Sequence, residues 1–172
     1  DRAGFAEPHW KPGSPLPTFD AQSAGGRAMV ISDILRTKGR SVATVLPDES
    51  VQAAVRKLAD LRIGAVVVQD KWQKLVGIFS ERDLVRLLVS EGKAVLDRQV
   101  GDLMTRSVIT CRSSDRIDSV LAVMTMHRVR HVPVMDDGAL AGIVSIGDLV
   151  KHRMDEKEME AGVLLEISRM RA

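Results

Sequence analysis

The sequence predicts an α/β chain made of two copies of one strand–helix–strand–strand–helix (βαββα) unit in tandem, and three observations carry that prediction. First, Gly-Ile-Phe-Ser-Glu-Arg-Asp-Leu at 77–84 returns as Gly-Ile-Val-Ser-Ile-Gly-Asp-Leu at 142–149, so that Gly77/Gly142, Ser80/Ser145 and Asp83/Asp148 each stand 65 residues apart. A shared offset at several polar positions marks an internal repeat. Second, Val51, Ala54, Val55 and Leu58 fall at helical spacing, and Ile117, Val120, Leu121 and Met124 repeat them 66 residues on. Third, 172 residues that are 45% hydrophobic and 28% charged suffice for a real core, in one compact domain or two small ones.

The same composition removes several function classes. Net charge is only +2 and the charges are interspersed, so no basic stripe argues for nucleic acid despite a pI near 8.9. Three Phe, two Trp and no Tyr leave few platforms for stacking single strands. Cys111 is the only cysteine, which excludes an intramolecular disulfide and a cysteine-cluster zinc site, and points to a reducing, cytoplasmic setting. No apolar run reaches membrane-span length, and no charged start with an apolar core suggests a signal peptide.

In chain order, residues 1–28 hold four of the six prolines and no periodicity, and read as a leader or linker, with Met29 a candidate natural start. Either these residues are a cloning scar or they pack on a partner through Phe5, Trp10 and Phe19. The first unit spans 29–92 and the second 93–153. Val30 to Leu35 is an amphipathic turn with a counterpart at Val100 to Met104, each introducing a strand, Ser41 to Val45 and Ser107 to Cys111. Three extra residues around Thr37, Lys38 and Gly39 give the first unit a loop with Arg36, Lys38 and Arg40. By itself this is a solvated basic loop; beside a nucleotide cleft it could cover phosphates.

Pro47, Asp48 and Ser50 start the first long helix. Each such helix ends in a basic segment, Arg62-Ile63-Gly64 or Arg128-Val129-Arg130-His131, followed by an apolar strand, Ala65 to Val68 or Val132 to Met135. A hairpin, loose at Lys71 to Lys74 and tight at Asp137-Gly138, returns to the Gly-x-x-Ser strand. Leu84, Val85, Leu87 and Leu88, and in the second copy Leu149 and Val150, then close each unit with a helix. Residues 154–172 form a charged helical tail whose broken apolar stripe, Met154, Met159, Val163, Leu164, Ile167 and Met170, suits packing on the module or on a second subunit, with Gly162 a weak point.

The repeated motif places a serine at the start of a helix and an aspartate one turn in. Free N–H groups at the positive end of a helix dipole suit a phosphate, and a carboxylate suits the two vicinal hydroxyls of a ribose. An ordinary capping box explains a single copy as well. Two copies in register favour a nucleotide grip.

Tandem units with Gly-h-h-Ser-x-x-Asp in both copies (h, apolar) and Arg130-His131-Val132-Pro133-Val134 in the second resemble the cystathionine beta-synthase (CBS) domain pair, or Bateman module, over about residues 29–153. Ser-Glu-Arg-Asp, His-Arg-Val-Arg-His-Val-Pro-Val and Ser-Ile-Gly-Asp are similar to the small stand-alone bacterial members. The resemblance implies a pseudo-twofold module in a flat homodimer, binding adenosine-containing ligands between the repeats: AMP first among them, with ADP, ATP, NAD or S-adenosylmethionine as other choices. It further implies that Asp83 and Asp148 hold ribose hydroxyls and that Ser80 and Ser145 lie near phosphates. Arg82 is placed for phosphate, and Gly64, Ala65, Arg130, His131 and Pro133 line the adenine and phosphate side. Arg130 and His131 serve equally well as a surface cap on the preceding helix. The copies differ in that the first has Val67 where the second has Pro133, and the second has Gly147 where the first has Arg82, so the two sites are not equivalent.

An enzyme is disfavoured. Ile143 stands where a nucleophile elbow needs Gly, no phosphate-loop motif occurs, and His127 and His131 lack a third metal ligand. The expected function is a regulatory module that senses an adenine nucleotide and signals to an unidentified downstream protein. The competing expectation is a dimeric scaffold with lapsed sites.

Overall fold

The computed structural model describes residues 29–170. The leader at 1–28 lies outside them, and so do the side chains of the apolar tail stripe from Val163 onward. In order, the elements are α1 (Ile31–Lys38), β1 (Thr44–Val45), α2 (Val51–Leu61), β2 (Ala65–Gln69), β3 (Leu75–Ser80) and α3 (Glu81–Glu91). A 3₁₀ turn (Gly92–Asp97) leads to α4 (Val100–Leu103), α5 (Ile117–Met126), β4 (His131–Asp136), β5 (Ala139–Ser145) and α6 (Ile146–Met170). This is an α/β fold of two repeated units.

Local chemistry sets the boundaries. The hydroxyl of Ser50 accepts from the N–H of Ala53 and starts α2. After α2 and α5 the chain turns through left-handed residues, Arg62 (φ 52°) and Arg128 (φ 54°), which lets the N–H groups of Ile63 and Val129 bond back to Leu58 O and Met124 O, both at 3.0 Å. Non-glycine residues accept that conformation at a cost of roughly 1 kcal/mol each. The second hairpin turns on Asp137 (φ 50°) and Gly138 (φ 80°), the pair of positive φ angles that suits the twist of two joined strands. In the first hairpin Asp70 Oδ1 accepts from the N–H groups of Trp72 and Lys74.

The first unit forms a three-stranded sheet in the order β1-β2-β3, with β1 parallel to β2 and β2 antiparallel to β3. In the second, β4 and β5 pair antiparallel, and the strand expected at Ser107 to Cys111 reduces to a single bridge between Cys111 and Val134. The reason lies at one position. Val67 donates its N–H to Ala43 O at 3.0 Å, whereas its counterpart Pro133 has no N–H to give and only accepts, from Cys111 N at 3.1 Å.

Two apolar cores lie side by side, and each is closed by the other unit's leading helix. Ile31, Ile34 and Leu35 of α1 are buried with Ile117, Met124, Val134, Val144 and Leu149 of the second unit. Val100 and Met104 are buried with Val51, Leu58, Val66 and Phe79 of the first. The sequence reading placed each leading turn in its unit by chain order and said nothing of whose core it enters. The exchange of leading helices also explains the repeated glycines: a Cβ on Gly142 would lie 2.7 Å from Leu35 Cδ2, and one on Gly77 would lie 2.8 Å from Met104 Cγ.

Two closing helices differ from expectation. None of the α3 side chains is buried: Leu84 and Leu87 lean on the core, while Val85, Leu88 and Val89 face outward. α6 does not pause at 153 but continues unbroken to Met170. Among the described residues no helix is long and apolar enough to cross a membrane.

Candidate functional site

Both copies of the motif form the same cap. Asp83 Oδ2 accepts from the N–H of Ser80 at 3.0 Å and from its hydroxyl at 2.6 Å, and the hydroxyl accepts from Asp83 N–H at 3.4 Å. In the second copy the corresponding distances are 2.7, 2.8 and 3.2 Å between Ser145 and Asp148. The capping box foreseen as the plain alternative is therefore present in both. Its bonds run to Oδ2 of each aspartate, so the caps orient the carboxylates without engaging Oδ1.

These caps open onto two clefts. The first, about 430 Å³, is lined by Gly64, Ile78, Ser80 to Asp83, Arg86, Thr105 and the 127–131 segment. The second, about 470 Å³, is lined by Lys38, Ser41, Ala43, Leu61 to Ala65, His131, Ile143 and Ser145. Each combines the motif of one unit with the helix-to-strand segment of the other. Gly64 and His131 belong to both, and a Cβ on Gly64 would stand 2.9 Å from His131 Cε1. That contact is the partition between the clefts.

Nine of the ten expected site residues fall in or beside these clefts: Gly64, Ser80, Arg82, Asp83, Arg130 and His131 at the first, and Gly64, Ala65, His131 and Ser145 at the second, with Asp148 fixed by its cap to Ser145. Pro133 is the exception. It is buried inside β4 opposite Ile143 and lines neither cleft among the described residues. The alternative for Arg130 and His131, a cap on the preceding helix, is not what they do: the backbone of His127, Arg128 and Val129 closes α5, and Arg130 O accepts from Ile146 N–H at 2.9 Å.

Arg82 donates to Arg128 O at 2.8 Å, bridging the motif of one unit to the loop of the other. Arg86, Arg128 and Thr105 also line the first cleft, and the sequence offered no signal for them beyond their neighbourhood. Lys38 is the residue the solvated-loop reading set aside. It ends α1 rather than lying in a loop, and it donates to Asp148 Oδ2 at 2.6 Å and to Ile143 O at 3.2 Å. The three-residue insertion was its signal.

The electrostatics follow from these contacts. Burial pushes the Asp148 carboxyl upward, but the bonds from Lys38 and from the Ser145 N–H and hydroxyl outweigh it and hold the group below its ordinary value. His131 is held below the usual imidazole range, first by burial and then by the Lys38 charge, against the opposing pull of Asp148 and Glu81. Cys111 is buried in the second core, and burial pushes its thiol up, which makes it inert. Among the described residues no cluster of three or more His, Cys, Asp or Glu could hold a metal ion.

Two related units, a shared partition and a capped helix facing each cleft define a tandem-repeat module of the Bateman class. The chain belongs to the CBS-domain family, which it matches over residues 31–90 and 100–155. It is 33% identical over 147 residues to the mitochondrial CBS domain-containing protein CBSX3 of Arabidopsis thaliana, covering 81% of this chain and 71% of that one. The crystal structure of a CBS-domain containing protein from Agrobacterium tumefaciens aligns with a TM-score of 0.71 and 46% identity, over 73% of this chain and 99% of the other. The CBS domain pair of protein MJ0100, solved with 5′-methylthioadenosine and S-adenosyl-L-methionine, aligns with a TM-score of 0.68 and 26% identity over 76% and 99%.

Proposed function

We propose that this chain is a regulatory module that binds an adenosine-containing ligand in the clefts between its repeats and passes the binding state to another protein through a homodimer. The observation that carries the reading is the paired Ser–Asp cap, which sets Asp83 in the wall of the first cleft and holds Asp148 beside the second through Ser145. The MJ0100 pair, with two adenosyl compounds bound, supports the ligand class. Arg82, Arg86, Arg128 and Arg130 around the first cleft, against Glu81 and Asp83, favour a phosphate-bearing member such as AMP, ADP, ATP or NAD, with AMP first. The outward row Val85, Leu88 and Val89 on α3 supports a partner surface, and a second copy fits the family resemblance. Ligand acts by differential affinity for two arrangements of the units. No catalytic step is assigned to the site.

Thermal melts with AMP, ADP, ATP, NAD and S-adenosylmethionine test the ligand, and sedimentation with and without it tests the dimer. Stabilisation by at least one adenosine compound, lost in Asp83→Ala, is the expected result. No shift with any of them favours a scaffold with lapsed sites.

A further inference from the structure

Besides the exchange of Arg82 for Gly147, the two clefts differ at one carbonyl. In the first unit Ile78 O accepts from the backbone N–H of Thr105 at 2.9 Å, and Ile78 N–H donates back to Thr105 O at 3.0 Å. In the second, the counterpart Ile143 O accepts from the ammonium of Lys38 at 3.2 Å. The exchange traces to the insertion around Lys38: α1 runs on to Lys38, whereas α4 stops at Leu103 and hands the position to backbone.

That ammonium also loads Asp148. Oδ2 of Asp148 accepts from Ser145 N–H, Ser145 hydroxyl and Lys38 Nζ, while Oδ2 of Asp83 accepts only the two Ser80 donors among the described residues. Arg82, which braces the first cleft, is replaced by Gly147, whose Cβ would meet nothing nearer than Ser145 Oγ at 3.7 Å. Lys38 is thus the cation that has taken over this corner of the second cleft.

We propose that Lys38 is an internal competitor for the ribose-binding carboxylate of the second cleft, so that the first cleft fills first and the second only when ligand displaces the ammonium. The inference rests on the adenosine-ligand reading above. A vicinal diol offers the carboxylate two hydrogen bonds but no charge, so displacing the ammonium gives up the Coulomb attraction of the Lys38–Asp148 pair as well as its bond. The rest of the ligand has to make up that loss. Lys38 and Asp148 side chains are 38% and 25% exposed, so water takes up a released ammonium and the competition lowers affinity without closing the site.

The test is calorimetric titration with adenosine and with AMP on the full chain, on Lys38→Met and on Lys38→Arg, each with and without Asp148→Ala. The proposal expects Lys38→Met to gain an Asp148-dependent event, with adenosine bound about two- to fivefold more tightly there, and Lys38→Arg to show no gain. Lys38→Gln, which keeps a neutral donor for Ile143 O, replaces Met if the latter impairs folding. Weaker AMP binding in Lys38→Met with adenosine unchanged would make Lys38 a phosphate ligand and overturn the proposal. So would unchanged binding of both probes, which would make Lys38 a strut. Binding through Asp83 in the parent chain with no gain in the variants overturns this inference alone. Absence of binding in every protein overturns the adenosine reading with it.

Discussion

Leu35 of α1 lies over Gly142 of β5, closely enough that a Cβ at 142 would stand 2.7 Å from Leu35 Cδ2 and 3.1 Å from Cδ1. Leu35 is buried in the second unit's core and cannot swing into solvent. Gly142→Ala should therefore destabilise the chain by about 1–3 kcal/mol, the usual range for overpacking. Urea denaturation reads this, and Leu35→Ala in the same background should recover part of the loss rather than add to it. Gly77→Ala should destabilise as well, since the added carbon would meet Met104 Sδ and Cγ and the carbonyl of Thr105 at 3.2 Å, of which only the unbranched Met104 side chain can give way.

The repeat, the helices and the hairpins were legible because each rests on a local signal: a 65- or 66-residue offset, a 3.6-residue period, Ser50 as a cap, Asp137-Gly138 as a turn. What escaped was tertiary. Nothing in the pattern of Ile31, Ile34 and Leu35 says whose core they enter, so the exchange of α1 and α4 between units could not be read from period alone. Pro133 was expected at the site from the resemblance of its motif, and it lies buried in β4 opposite Ile143, outside the lining of both clefts. Lys38 was visible as an insertion but not as an ion pair, because its partner Asp148 lies at the far end of the chain.

At the shared partition, Gly64→Ala should push the His131 ring aside, since the added carbon would lie 2.9 Å from Cε1 and 3.1 Å from Nε2. Both clefts touch this pair, so the substitution should weaken ligand binding at each. Adding His131→Ala should relieve the steric part. Binding unaltered in Gly64→Ala would show that the partition has slack.

The serine caps predict matching losses. Ser80→Ala and Ser145→Ala each remove a hydroxyl that accepts a helix N–H and donates to the motif aspartate. Each should cost about 1 kcal/mol in chemical denaturation. A near-zero effect at Ser145 alone would mean that Lys38 holds Asp148 in place without the cap.

Acid should act in two windows. Asp148 is held below its ordinary value of 3.8, so the unfolded chain binds the proton first; stability is present above that value and is lost as pH falls through the lower folded-state value. His131 is held below 6.5, so the folded chain again resists the proton, and stability should decline as pH drops from about 6.5 and level off below the folded-state value. Denaturation midpoints of His131→Gln should lack the upper decline, and those of Asp148→Asn the lower one. A profile unchanged by His131→Gln would contradict the burial of the neutral ring.

The account stands or falls on whether the capped aspartates hold a nucleoside, and calorimetric titration of AMP, ATP, NAD and S-adenosylmethionine against the chain, Asp83→Ala and Asp148→Ala measures that directly. The account predicts heat with at least one of the four, mostly removed by Asp83→Ala and reduced less by Asp148→Ala. Heat that survives both substitutions, or none with any ligand, would contradict it.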